Sequence, residues 1–560
     1  MSADRTKISW NGWGAAGFKN PIAAREDVWT WLAAELGMPS LLATPARPLE
    51  GIELPASQLD AAVRGQLVTI LGEDRVRDSK YERAFHALGR SYHDLLRLRA
   101  GDLSTAPDVV LYPRATEEVL SVLACAAAAN IAIVPFGGGT SVVGGVTGAR
   151  GPFRAVATLD LSGMDQIRHI DTESLTATAD AGIYGPALEQ GLNTRNFTLG
   201  HFPQSFEFST LGGWIAHRGA GQQSLRYGRP QDWLVSLKLA TPRGLLTTED
   251  FPASAAGPRL TDLAVGSEGT FGIVTEATMR VRETPAVKDY RGWLFHDFAS
   301  GTSAIQNAVQ GGLPAAMLRL SDATETNFYR AFGAIGERPG LRDRLTNLYL
   351  GARRFTESAA LLIVGFEGAP QLVIEGHNRF ARMARDMMAL DAGRSPGKRW
   401  YEGRFHGPYI RDPMMDRGVG VDTLETATRW GNIDALYTAV KAAIEKAVSE
   451  TVPRPGANGI VMCHISHAYQ TGASLYFTII FPRALDGELA QWRAIKTAAS
   501  DAIAACGGTI SHHHGVGEDH LPWIEQEKGA LGIDVLRAIK HALDPKGILN
   551  PGKLIPPAHP

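Results

Sequence analysis

Cysteine is nearly missing from this 560-residue chain: there are 3, Cys125, Cys463 and Cys506, isolated from one another and odd in number. That excludes a disulfide framework and a cysteine-based structural zinc, and points to a reducing compartment. Charge of one sign is missing as well. With 56 Lys and Arg against 58 Asp and Glu, the net charge is −2, so nothing global draws the chain to nucleic acid or to an anionic membrane. No apolar run is long enough to span a bilayer. The most apolar stretch, 119–136, contains Ser121 and Asn130 and ends at Pro135 and a run of glycines; it reads as an Ala-rich helix entering a buried strand. Residues 1–10 lack the apolar core of a signal peptide, and the final Ala-His-Pro is no peroxisomal address. The expectation is a soluble, cytoplasmic protein, with contact at a membrane surface left open. Internal repeats and low-complexity tracts are absent too.

What is present is enough apolar residue, 44%, for large cores, and enough length for two or three domains. Residues 1–100 read as a helical extension, with helices over 25–36 and 74–88. Over 101–285 short strands follow closely, at 108–112, 131–136, 155–159, 175–179, 234–241 and 272–281. A helix over 116–129 is one that Thr116 would cap, with Glu117 and Glu118 at its positive end. Residues 286–500 suggest a second α+β domain with an antiparallel sheet. Its strand 474–481 puts Leu475, Phe477, Ile479 and Phe481 on one face and Tyr476 on the other. Residues 501–560 return to helix and turn.

Three glycine loops lie in the 101–285 region. Gly137-Gly138-Gly139-Thr140-Ser141 follows a buried strand, where backbone N–H groups can converge on an anion. Val142 stands where a dinucleotide fingerprint has its third glycine, and no Gly-Lys-Ser/Thr follows, so neither that fingerprint nor a P-loop is present. Alone, the loop is equally a tight structural turn. Residues 203–214 and 265–275, the latter with Gly266, Gly269 and Gly272, add two more loops. Together they suggest a large phosphorylated cofactor clasped from several sides.

The other feature is Ser511-His512-His513-His514-Gly515-Val516-Gly517. Imidazole titrates near neutrality, so a cluster facing a cleft can exchange protons and bind anions. A polar surface loop and a metal tract are the alternatives. Adjacent histidines should diverge, at least one facing away, and no Cys or carboxylate nearby in sequence completes a metal site.

The order Pro-Phe-Gly-Gly-Gly-Thr-Ser, Ser-Thr-Leu-Gly-Gly and Gly-Ser-Glu-Gly-Thr-Phe-Gly resembles the FAD domain of vanillyl-alcohol-oxidase type flavoproteins. Within that group, Trp10-Asn-Gly-Trp-Gly14, Glu207-Phe-Ser-Thr210, Tyr409-Ile-Arg-Asp412 and the triple-histidine motif resemble the alkyldihydroxyacetonephosphate synthase family. The resemblance implies an α+β fold: a two-subdomain FAD-binding domain, an α+β cap with an antiparallel sheet, a helical N-terminal extension, and a C-terminal segment that returns to the FAD domain. It implies that Pro135, Gly137, Gly138, Gly139, Thr140 and Ser141 cradle the FAD pyrophosphate. Gln204, Ser205, Glu207, Ser209, Thr210, Gly213, His217, Gly219, Ala220, Gly266, Glu268, Gly269, Thr270, Gly272 and Ile273 would line the rest. Gln204 and Gly219 depart from the Asp and Ala usual there. Thr140 and Ser141 stand where covalently tethered relatives place a histidine, so the flavin is expected to be non-covalent.

The implied reaction exchanges the acyl group of acyl-dihydroxyacetone phosphate for a fatty alcohol, the flavin acting as an electrophile without net oxidation. By resemblance Arg411 and Arg319 bind substrate, Tyr476 is the acid/base, and His512, His513 and His514 supply protons. From the residues alone, Arg411 is equally a surface partner of Asp412, Arg319 a solvent-facing strand residue, and Tyr476 a strand tyrosine. His464 and His467 read as structural. A phenol acts as a base only where positive charge lowers its pKa, which Arg411 and the histidines would supply. Glu518 and Asp519 stand where the family commonly has basic residues. Residues 345–355 and 414–421 are candidates to line a tunnel for two lipid chains. A lipid-like substrate, no nucleic acid, no metal and a homodimer complete the expectation. A 2-hydroxy-acid oxidase or dehydrogenase of the D-lactate or glycolate type fits residues 404–412 and 550–553 as well. A flavoprotein fold kept only as a binding module is the third reading.

Overall fold

The computed structural model describes residues 5–336, 340 and 348–557. Val76–Arg77 (β1), Val109–Leu111 (β2), Ile131–Phe136 (β3) and Ala155–Asp160 (β4) form a four-stranded sheet in the order β1-β2-β4-β3, with β2, β4 and β3 parallel. Ile131 to Val134 and the whole of β4 are buried, as a parallel sheet covered on both faces requires. Next come Ile167–Asp171 (β5), Thr176–Asp180 (β6), Phe197–Thr198 (β7), Leu234–Thr241 (β8), Gly244–Thr247 (β9), Ile273–Arg280 (β10) and Arg282–Glu283 (β11). Five of them make an antiparallel sheet ordered β5-β6-β10-β8-β9, and β7 pairs with β11.

The third sheet is antiparallel throughout. It comprises Val287–Phe295 (β12), Met317–Ser321 (β13), Ala360–Gly368 (β14), Leu390–Gly393 (β15), Val419–Arg429 (β16), Ile460–Ile465 (β17) and Gly472–Pro482 (β18), in the order β15-β12-β14-β13-β17-β18-β16. Leu475, Phe477, Ile479 and Phe481 enter the core on one face of β18, leaving the other face for polar chemistry. The chain then returns to the first sheet. Leu549 bridges to Ile133 in parallel, and the Asn550 amide donates to the carbonyls of Gly145 (3.0 Å) and Glu268 (2.7 Å).

Three local expectations are corrected. Residues 74–88 are not one helix: β1 pairs with β2, and Ser79 then starts a separate helix, Lys80–Phe85, by accepting the Glu82 N–H. Thr116 does not cap its helix. Ala115 holds the cap position, and the Thr116 hydroxyl bonds Thr275 Oγ1 at 3.0 Å. Residues 414–421 line no tunnel: Met414, Val419 and Val421 pack against Val28, Trp29, Leu32 and Leu36 of the helix Glu26–Glu35. Of 345–355, residues 345–347 lie outside the described residues. The three cysteines are free, and among the described residues no helix is long and apolar enough to cross a membrane.

Candidate active site

The first glycine loop leaves β3 and is held from beneath. Arg5, wholly buried, pairs with Asp160 at the end of β4 (2.6 Å) and donates to the Gly137 carbonyl (2.6 Å). Burial alone would raise the Asp160 carboxyl, but Arg5 and then His86 hold it at about 2. A Cβ on Gly138 would lie 1.6 Å from the Phe208 carbonyl oxygen, and one on Gly137 2.3 Å from Thr210 Oγ1. Glycine here lets two loops close on each other. Among the described residues, the backbone N–H groups of Gly138, Gly139, Thr140 and Ser141 have no acceptor. The His217 ring lies against Gly145 and Gly515, with a buried Nδ1 that has no partner. A row of unpaired amides on a glycine turn fits a pyrophosphate.

Many side chains of the loops expected to line a cofactor are engaged with protein. Gln204 donates to the Arg404 carbonyl (2.7 Å) and accepts from Gln222. Glu207 accepts from Tyr409, and Ser209 from the Trp214 indole. Thr210 caps the helix Leu211–Ala216, Thr270 donates to the Ser267 carbonyl, and Pro135 packs on Gly269. The Glu268 carboxylate accepts the backbone N–H groups of Val516 (2.5 Å) and Gly517 (2.8 Å), and so ties this loop to the histidine motif. What this cradle offers a cofactor is chiefly backbone.

The polar face of the third sheet carries the second half of the site. The register sets Ser321 opposite His464, His464 opposite Tyr476, and Tyr476 opposite Glu425, one row across β13, β17, β18 and β16. Tyr476 stacks on His464 (ring centroids 4.8 Å apart) and on His513 (6.1 Å), with His514 edge-on at 5.6 Å. Behind His464, Arg319 donates to Ser321 Oγ (2.9 Å) and to Glu325 (3.0 Å), whose Oε1 also contacts His464 Nδ1 (3.1 Å). Arg319 is therefore not a plain solvent-facing residue: Glu325 and Ser321 hold one side of its guanidinium. Arg411 does not pair with Asp412. Its Nη1 donates to the Arg90 carbonyl (3.0 Å), its buried Nε is unpartnered, and Nη2 has no acceptor among the described residues. Asp412 accepts the Trp13 N–H instead (2.8 Å), joining the Trp10–Gly14 segment to this region.

None of the three histidines faces away. All surround Glu425, a fully buried carboxylate invisible to any motif because it lies on β16, far upstream in sequence. It accepts Ser511 Oγ (3.0 Å) and the successive N–H groups of His512 (2.8 Å), His513 (2.7 Å) and His514 (2.9 Å). His467, His512 and His513, or Glu425, His513 and His514, lie close enough to share an ion. The 2.9 Å contact between Nδ1 of His512 and of His513 has hydrogen-bond length, and the Glu425 lone pairs already serve four donors. Glu518 forms an ion pair with Lys553 (2.6 Å).

Burial dominates the electrostatics. It drives the imidazoles of His512 and His514 down to about 3 despite Glu425, and lowers His464 and His467 as well. It pushes the Tyr476 phenol up to about 12, outweighing a Thr423 hydrogen bond and the Arg411 charge. The expected sign is reversed: Tyr476 keeps its proton and is a donor, and the neutral imidazoles are the acceptors. Burial would likewise raise Glu425, but His513 and the other two histidines hold it well below the usual range.

Known proteins resemble this chain over most of its length. Residues 107–249 match the model of an FAD binding domain, and 284–554 that of the C-terminal domain of FAD linked oxidases. The chain is 36% identical over 520 residues to the alkyldihydroxyacetonephosphate synthase of Dictyostelium discoideum, covering 92% of this chain and 84% of that one. The chain belongs to the alkyldihydroxyacetonephosphate synthase family. A solved alkyldihydroxyacetonephosphate synthase structure superposes with a TM-score of 0.83 at 32% identity, over 98% of this chain and 99% of the other. The glycolate oxidase subunit of Bacillus subtilis is 26% identical over 517 residues, 88% of this chain and 96% of its own. As a member of the synthase family the chain is an FAD-dependent enzyme, and the unpaired amides of the glycine loop suit that cofactor.

Proposed function

We propose that the enzyme exchanges the acyl group of acyl-dihydroxyacetone phosphate for a fatty alcohol, forming an ether lipid precursor. The observation that carries this reading is Tyr476, a protonated phenol stacked between His464 and His513 on a polar sheet face near Arg411. The Arg411 guanidinium, through Nη2 and Nε, holds the substrate phosphate, a geometry that a lysine ammonium imitates poorly. An imidazole of His513 or His514 takes the proton from the carbon beside the ketone. Tyr476 Oη gives its proton to the departing carboxylate, the alcohol O–H proton finally restores it, and the imidazole returns its proton to the carbon beside the ketone. One carbon–oxygen bond breaks, one forms, and no electrons are gained or lost overall. FAD, bound without a covalent link along 137–141, supplies the electrophile. Arg319 and Glu325 orient His464.

The test is exchange by the FAD-loaded protein, with palmitoyl-dihydroxyacetone phosphate and labelled hexadecanol. Labelled ether without lasting bleaching of the flavin is expected. Persistent bleaching by 2-hydroxy acids with no ether formed would replace this reading with the dehydrogenase one.

A further inference from the structure

We propose that Glu425 is the positioning residue of the triple-histidine loop, fixing which nitrogen of the His512 and His513 imidazoles carries the proton beside Tyr476 without itself touching substrate. The inference rests on the exchange reaction proposed above and goes beyond its motif residues.

The hydrogen bonds assign the tautomers. His512 Nε2 faces Arg229 Nη1 (3.4 Å) and the Tyr469 hydroxyl (2.6 Å). A guanidinium can only donate, so that nitrogen is an acceptor and the neutral ring carries its proton on Nδ1. Nδ1 of His512 lies 2.9 Å from Nδ1 of His513, which must then accept. With Nδ1 accepting, the ring N–H of His513 is Nε2, on the side of the ring away from Glu425. This alternation holds only while the three residues keep their relative rotation, and Glu425 sets that rotation by gripping their backbone. Three consecutive amides and the Ser511 hydroxyl converge on one carboxylate with no exposure to solvent. Its Oε2 also lies 3.6 Å from His512 Nδ1 and 3.4 Å from His513 Nδ1, so any proton gained by the cluster is stabilised there.

The loop's other contacts cannot replace it. Glu268 grips only Val516 and Gly517, past the histidines. Other charged or titratable groups around the cluster include Arg229, His217, Arg411, His467, Tyr469, Tyr476, Lys496 and His520. Glu425 is thus the one anion among the described residues that meets all three imidazoles within 4 Å.

Glu425→Gln and Glu425→Asp test this in the FAD-loaded enzyme, read by exchange kinetics and by the pH dependence of deuterium exchange at the imidazole C2 positions of His512–His514. For Glu425→Gln, bound FAD should match wild type, kcat should fall about a hundredfold with KM within about threefold, and the C2 midpoints of His512 and His514 should move down by about one pH unit. Glu425→Asp should recover part of both. Unmoved midpoints, an unchanged kcat, or loss of FAD from both variants alike would overturn the proposal, the last by reducing Glu425 to a support of the fold. The C2 readout needs no substrate. Shifted midpoints in a protein whose wild type makes no ether would leave Glu425 in place and dismiss the exchange reaction.

Discussion

Around the glycine loops the groups available to a ligand are backbone amides, whereas across the third sheet they are side chains set in register. Gly138 to Ser141 offer N–H groups, while Ser209, Thr210 and Glu268 are occupied with protein. His464, Tyr476 and Glu425 stand on three adjacent strands because their pairing puts them there. A backbone cradle tolerates side-chain change as long as the loop keeps its path. A row of side chains fails when any one is replaced.

The sharpest way to break the contrast is to disturb the loop path itself. Gly138→Ala should yield protein without bound FAD, judged by flavin absorbance, and cost about 3 kcal/mol or more in stability, because its Cβ meets a backbone oxygen at 1.6 Å. Arg411→Lys should leave FAD binding unchanged while kcat/KM in the exchange assay falls about tenfold or more, carried mainly by KM. The smallest effect concerns stability. Burial alone would raise Glu325, but Arg319 and then His464 hold it at about 2, against a usual 4.5. Its contribution is complete above about pH 4.5 and is lost as pH falls toward about 2. Urea midpoints should therefore fall on acidification, and Glu325→Gln should show a lower midpoint at neutral pH and a shallower fall.

The cradle was the more legible half. Glycine restricts what a loop can do, and Gly137–Gly139 after a strand announces a turn that binds through its backbone. The alternation in 474–481 likewise placed Tyr476 opposite the core face. Glu425 left no such trace. It sits among Leu424 and Thr426 on a strand whose register with β18 no local pattern reveals, and its role exists only through that pairing. Arg319 was misread for a related reason: alternation indicated the face it occupies but not that Glu325, from the next helix, would cover it. The Tyr476 proton was misjudged because positive neighbours were foreseen and the depth of burial was not.

The central claim is that chemistry resides on the sheet face and cofactor holding in the loops, and Tyr476→Phe separates the two. Flavin content and ether formation should be measured on the same preparation. FAD equal to wild type with exchange reduced about 10²-fold to 10⁴-fold is the predicted result. Exchange at the wild-type rate, or exchange lost only in proportion to lost FAD, would contradict it.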